Sequence, residues 1–165
     1  MAIPLRRSDP RNIVALARTF FVTSSISGRR RLLQSACSAE LFISVLYHYR
    51  SLGKYLLHDF VIMPDHFHVL ITVGYEISIE RAVQFIKGGF AFRAGKELGF
   101  HTPVWERGFS EARVQDSSSL QHIQDYIAGN PVKERLANTA AEYPYCSFYP
   151  GFALDDVPQW LKPAA

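Results

Sequence analysis

The sequence predicts an α+β fold of the ferredoxin-like (RRM-like) kind: a split βαβ arrangement with an antiparallel sheet, and one further helix appended towards the C-terminus. Three observations predict it. Hydrophobic periodicity alternates along the chain in the order strand, helix, strand, strand, helix, strand, helix. The second and third strands are separated only by Pro64-Asp65, turn chemistry that asks for a hairpin. No repeat, low-complexity tract or long linker divides the 165 residues, so a single domain is expected over 1–165, its core running from about residue 19 to 151.

The elements follow in order. "TFFVTSSIS" (19–27) is β-branched and aromatic and reads as the first strand, followed by the basic turn "GRRR". Leu41, Phe42, Val45, Leu46, Tyr49 and Leu52 recur at helical spacing between residues 38 and 52, and Gly53 is a natural stop. "KYLLHDFVIM" (54–63) and "HFHVLITV" (66–73) are the hairpin strands, and the helices should cover one face of the sheet, leaving the other free for a ligand. Ser78 can cap a long helix with Glu80 in its first turn, which buries Ala82, Val83, Ile86 and Phe90 and fades near Gly99. "VWERGFSEARVQD" (104–116) holds a fourth strand. "SSSLQHIQDYIAG" (117–129) is a short helix, ended by Gly129 and the following Asn130-Pro131. From Asn138 the chain is aromatic and proline-rich, without periodicity.

Composition narrows the classes. Nearly half the residues are apolar, and charges are at the globular average, which excludes a disordered chain. No apolar run approaches the ~20 residues that span a bilayer, so no membrane partner is expected. "MAIPLRRSDPRN" lacks the apolar centre of a secretory signal, and a cytoplasmic location is expected. Cys37 and Cys146 are too few and too far apart for a disulfide framework or a zinc knuckle. The net charge is only +3, but Arg6, Arg7, Arg11, Arg18, Arg29, Arg30 and Arg31 crowd the first fifth of the chain. Such density suits a phosphate backbone, which guanidinium groups grip bidentately, and equally suits a solvated basic face.

The unusual feature is "VIMPDHFHVLI" (61–71). Residues two apart on a strand point the same way, so His66 and His68 project from one face while Phe67 and Val69 enter the core. Two imidazoles at this spacing can converge on one divalent ion, or they can be a packed pair. Leu70 shares their face, and two ligands do not complete a site. The stretch "YIAGNPVK" (126–133) carries Tyr126 and Asn130 four residues apart, on one helical face if the helix persists past Gly129. His48, His58, His101 and His122 show no partner spacing and read as structural or surface residues.

Taken together, these motifs resemble those of the single-tyrosine HUH transposases, and in particular the REP-associated tyrosine transposases. The histidine–hydrophobic–histidine element stands as His66-Phe67-His68, and the tyrosine helix of the pattern Tyr-Ile-x-x-Asn-Pro-Val stands as Tyr126 to Val132. Between them, "FIKGGFAFR" (85–93) and "VWERGF" (104–109) resemble the family's Lys-Gly helix and Trp-x-x-Gly-Phe segment. "YPYCSFYPG" (143–151) resembles its aromatic close. The resemblance runs from about Thr19 to Gly151.

The resemblance implies that His66, His68 and Asn130 bind Mg²⁺ or Mn²⁺ and that Tyr126 is the nucleophile. It implies a transposase that cleaves hairpin-associated single-stranded DNA through a 5′-phosphotyrosine link, acting as a homodimer or alone. Lys87, expected on a helix facing the site, is a candidate phosphate contact or proton handler. Arg93, Trp105, Arg107 and the cluster Arg29, Arg30 and Arg31 are the other candidate DNA contacts. Where relatives often carry a histidine near the fourth strand, this chain has Ala112. Two alternatives share much of the pattern: a nicking enzyme of the relaxase or replication-initiator type, and a catalytically silent nucleic-acid-binding module of the same fold.

Overall fold

Strand β1 (Arg18–Ser25), helix α1 (Ala36–Ser51), strands β2 (Leu56–Met63) and β3 (His66–Val73), helix α2 (Ile79–Leu98), strand β4 (Ser110–Val114) and helix α3 (Ser117–Lys133) follow one another as the periodicity predicts. The structure is a computed structural model that describes residues 17–164, so Arg6, Arg7 and Arg11 lie outside the described residues. The sheet order is β2-β3-β1-β4, every neighbouring pair antiparallel, which is the ferredoxin-like arrangement.

Local chemistry sets the helix limits. Ser35 accepts a hydrogen bond from the Ser38 amide to start α1, and Ser78 does the same for Arg81 at the head of α2. Gly99, with φ at +71°, closes α2 in the left-handed conformation open to a residue without Cβ. These two helices cover one face of the sheet. Phe42, Val45, Leu46, Val83, Ile86 and Phe90 pack there against Val22, Phe67, Val69 and Ile71. Phe67 does enter this core, its ring 4.7 Å from that of Phe42.

Gly88 and Gly89 in α2 have different tasks. A Cβ on Gly89 would lie 2.7 Å from Tyr49 Cε2 and 3.1 Å from Val45 Cγ1, whereas one on Gly88 would meet nothing within 4 Å. Gly89 thus lets α1 and α2 approach, and Gly88 contributes only helix-destabilising freedom. Gly88→Ala should stabilise the protein by about 1 kcal/mol from helix propensity. Gly89→Ala should destabilise it by about 1–3 kcal/mol, since overpacking outweighs the same gain. Thermal melts of the two variants in parallel check this; equal shifts would contradict it.

The opposite face is not free, which corrects the expectation. It carries α3 and the C-terminal tail over a second core of Val61, Met63, Leu70, Val114, Leu120, Ile127, Tyr143, Cys146 and Leu161. The aperiodic tail has a structural task. Strand β2 is an edge, and the tail satisfies its backbone: the Ile62 amide donates to Tyr145 O, the Ser147 amide to Phe60 O and the Asp155 amide to Leu57 O. Arg50 anchors that tail through a two-pronged pair with Asp155, at 2.9 Å for each bond. His58 is structural, its ring held between Asp155 O and Thr72 Oγ1. Both cysteines are free thiols.

Two further bounds differ from the sequence reading. Strand β4 occupies only 110–114, because 104–109 forms a loop held by α2, with Gly108 at φ +72°. Helix α3 runs through Gly129, Asn130 and Pro131 to Lys133 instead of stopping at 129. Pro131 withdraws the amide that would bond the Ile127 carbonyl, yet Asn130 and Pro131 are buried and the ladder resumes with the Glu134 amide donating to Asn130 O. Burial against the second core overrides the local stop signal. No helix among the described residues is long and apolar enough to cross a membrane.

Candidate metal centre and tyrosine site

His66 and His68 lie on the central strand β3, opposite Ser25 and Thr23 of β1 and Met63 and Val61 of β2. Both face α3, with ring centroids 4.9 Å apart. Each ring is held by one nitrogen. His66 Nδ1 is 2.7 Å from Asp65 Oδ1, and His68 Nδ1 is 2.7 Å from Thr23 Oγ1. Burial acts to raise the Asp65 carboxyl, but hydrogen bonds from His66 and Arg29 outweigh it and hold the group below its usual range. An ionised Asp65 can only accept, so His66 donates from Nδ1, and Nε2 is the nitrogen left to face a ligand.

His68 is 3% exposed, and its Nε2 is buried with no hydrogen-bond partner. Burial, followed by the neighbouring His66, pushes its pKa down to about 3, so the ring is neutral at physiological pH. A buried polar atom without a partner is costly, and a neutral imidazole nitrogen in that state has the chemistry of a metal ligand. An outer hydrogen bond on the other nitrogen of each ring is the arrangement that orients metal-binding histidines. Among the described residues no three His, Cys, Asp or Glu side chains stand close enough to hold an ion, so a third protein donor would be of another kind, such as an amide, hydroxyl or backbone carbonyl oxygen. Asn130, on the buried side of α3 and 7% exposed, offers an amide oxygen of the kind hard cations accept. Two imidazole nitrogens and an amide oxygen are donors of the kind a divalent cation takes.

Helix α3 brings the tyrosine. Asp116 caps it by accepting from the Ser119 amide at 2.7 Å, and Leu120 and Ile127 bury one face against the sheet. Gln124 donates to the buried Asp59 carboxylate at 2.9 Å, and Ser147 donates to its other oxygen. Tyr126 is 49% exposed, its ring edge-on to His68 at 5.2 Å between centroids and to Phe21 at 5.9 Å. Phe21 stacks on His68 at 5.2 Å, so the three rings form one mutual cluster. One chain thus sets a solvent-facing phenol beside the histidine pair, with Asn130 one helical turn further on.

The Asp59 bond that seats α3 has a pH signature. Burial raises the Asp59 carboxyl above its ordinary value, against the hydrogen bonds from Gln124 and Ser147. A folded pKa above the unfolded one gives a contribution that is complete below the unfolded carboxylate range and is lost as pH rises through the folded pKa. Asp59→Asn stays neutral at every pH and can keep both bonds once the Gln124 amide turns over. It should melt at or above the wild-type temperature at pH 7 and converge with it below about pH 4. A wild type that is clearly more stable at pH 7 would contradict this.

The other candidates divide between the two faces of the sheet. Arg29 donates to Asp65 Oδ2 at 3.0 Å and so braces His66 through one carboxylate. Arg29 and Arg31 line a depression with His66 and Glu134, and Arg107 shares a second one with Arg29, Thr23 and Ser25. Arg30 is turned away, to Ser27 O and Pro103 O. Helix α2 does not face the site, which corrects the expectation for Lys87. Its ammonium donates to the carbonyls of Glu106 and Gly108, and burial lowers its pKa. Trp105 returns a bond to Lys87 O and packs its ring on Phe67 and Phe90. Arg93, on the same far face, pairs with Glu97 and Ser44. Sequence reasoning missed Phe21, Thr23 and Asp65 as parts of the site. Only the β1–β3 register brings the first two there.

Comparison with known proteins agrees with this architecture. Residues 20–130 match the family described as "Transposase IS200 like". The chain belongs to this IS200-like transposase family, whose members act on DNA. It is 22% identical over 143 residues to the REP-associated tyrosine transposase of Escherichia coli K12, covering 86% of this chain and 83% of that one. It is 30% identical over 98 residues to a candidate REP-associated tyrosine transposase of Haemophilus influenzae, and the match spans 53% of this chain and 56% of the relative. The fold is shared with the solved structure of a REP-associated tyrosine transposase bound to a REP hairpin, at a TM-score of 0.69 and 19% identity, over 90% of this chain and 93% of that one. A candidate transposase from Deinococcus radiodurans R1 superposes at 0.51 and 20% identity, over 66% of this chain and 87% of that one.

Proposed function

We propose that the protein is a divalent-metal-dependent DNA transposase: a single-stranded endonuclease and strand transferase that cleaves hairpin-associated DNA through a 5′-phosphotyrosine intermediate on Tyr126. The observation that carries this reading is the Tyr126 ring packed against His68 in the same chain, beside a ring nitrogen buried without a partner. His66, His68 and Asn130 would hold Mg²⁺ or Mn²⁺, which when bound supplies Lewis-acid polarisation of the scissile phosphate.

The remaining chemistry belongs to the chain. Tyr126 Oη attacks phosphorus, forming the tyrosyl O–P bond and breaking the P–O3′ bond. The phenolic proton leaves to solvent, and the departing oxygen becomes a 3′-hydroxyl. Attack by a 3′-hydroxyl on the same phosphorus restores a phosphodiester and releases Tyr126, so rejoining needs no external energy source. Arg29, Arg31 and Arg107, exposed at the histidine end of the sheet, are suited to the DNA backbone. The REP hairpin bound by the solved relative supports a hairpin partner. Lys87 and Trp105 serve the DNA indirectly, by holding the loop that carries Arg107. One chain supplies the nucleophile beside the histidines, so the reading requires no second copy.

The test is incubation of the protein with an end-labelled hairpin carrying single-stranded flanks, in Mn²⁺, followed by denaturing electrophoresis. A labelled protein–DNA adduct is expected. Tight binding with no adduct would leave a silent binding module.

A further inference from the structure

Between β4 and the first half of α3 the surface opens into a cleft of about 550 Å³. That is within the ~300–1,000 Å³ of pockets that take small-molecule-sized ligands. Phe21, Ala112 and Arg113 form its sheet side. Ser118, Ser119, His122 and Ile123 form its helix side, and Tyr126 closes one end. We propose that this cleft receives one nucleotide of the DNA strand, next to the phosphate that Tyr126 attacks. Its base lies on Phe21 and Ile123 over Ala112, and its phosphate is met by His122 and the serine hydroxyls. The proposal rests on the reading of Tyr126 as the nucleophile.

Three observations carry it. The first is chemical complementarity. The side chains facing it combine an imidazole, two hydroxyls, an aromatic ring and apolar groups, with no carboxylate among the described residues that line it; Arg113, opposite Phe20 in the register, turns its side chain to the other face of the sheet. Asp116, the acidic group at the head of the helix, is engaged as the cap on the Ser119 amide. The side chain of His122 has no hydrogen bond or ion pair among the described residues, so the fold itself does not use it. Aromatic surface beside hydrogen-bonding side chains suits an unpaired base and its phosphate.

The second is continuity. Phe21 is shared between the cleft and the histidine pair, since one ring stacks on His68 with 18° between planes and meets Tyr126 edge-on. A base on the outer part of Phe21 puts its flanking phosphate towards the phenol. The third is space. Ala112 stands directly opposite Phe21 in the β1–β4 register, and only its small side chain leaves the floor of the cleft open beside that ring. His122 lies one helical turn before Tyr126, so the phenol and the imidazole share a face of α3.

The experiment uses the full chain carrying Tyr126→Phe, so that no strand is cut, and reads affinity by fluorescence anisotropy. The probes are a blunt DNA hairpin and the same hairpin with a short single-stranded extension. The extension is expected to tighten binding about 10-fold, the size of one or two stacked bases. Adding Ala112→Phe, which fills the cleft, should remove most of that gain while blunt-hairpin affinity is retained. His122→Gln, at an exposed position, should do the same without changing the melting temperature, and carries the test if Ala112→Phe does not fold. A single abasic position in the extension should reproduce the loss. Variants that keep the full gain, lose blunt and extended binding equally, or an extension that adds nothing, would each overturn the proposal. If the extension gain depends on the cleft but wild-type protein forms no covalent adduct, the phosphotyrosine reading fails while the nucleotide site stands.

Discussion

Tyr126→Phe is expected to abolish the covalent protein–DNA adduct, lowering strand cleavage by about 10⁴-fold or more, as loss of a nucleophile does elsewhere. Hairpin affinity should stay within about twofold and the melting temperature should not move. The reason for the split is geometric. The Tyr126 ring makes edge contacts with His68 and Phe21, and phenylalanine keeps both. The side chain is half exposed, so its hydroxyl is not part of the buried hydrogen-bonding that holds α3. Denaturing gels with labelled DNA, anisotropy and a thermal melt measure the three quantities. An adduct that persists in the variant would move the nucleophile elsewhere, and a large drop in melting temperature would make Tyr126 a packing residue.

His68→Leu should separate stability from activity in the same way, for a different reason. The wild-type protein buries His68 Nε2 without a partner, which costs about 1–3 kcal/mol when nothing binds it. Leucine removes that polar atom and keeps the volume between Phe21 and Tyr126, while Thr23 at the margin can turn to water. Metal-free stability is therefore expected to change by less than about 1 kcal/mol. Cleavage should fall by at least about 100-fold, the scale of a damaged metal site. A ligand present at about 100 times its Kd adds about 2.7 kcal/mol to folding, so Mn²⁺ should raise the melting temperature of the wild type and not of His68→Leu. Chelation should remove both the shift and the cleavage. Equal Mn²⁺ shifts in the two proteins would defeat the metal assignment even if cleavage were lost.

Much of the fold was legible because its signals are local. The caps at Ser78 and Gly99 and the Pro64-Asp65 turn act within a few residues, and the period of two put His66 and His68 on one face. The candidate site was legible in its parts and not in its assembly. The predicted stop at Gly129 ignored the apolar surface waiting beneath Asn130 and Pro131, whose burial carries the helix on to Lys133. Lys87 was placed on the wrong side of the sheet because the spacing of a helix says which of its faces is buried, and not which side of the sheet receives it. His122 was set aside because its relation to Tyr126 matters only once a cleft opens beside both.

The sequence by itself determined the strands and helices, their order, and the residue types on which the proposed strand transfer rests. Side-chain periodicity, caps and turns are energies of neighbouring residues, and they can be read without knowing the partner. Only the tertiary structure decided that α3 and the tail cover the histidine face, that the tail completes the open edge of β2, and that Tyr126 meets His68 within one chain. Those are choices between distant surfaces. They are set by the summed burial of the second core and by backbone groups in search of partners, and no short stretch of sequence carries that sum.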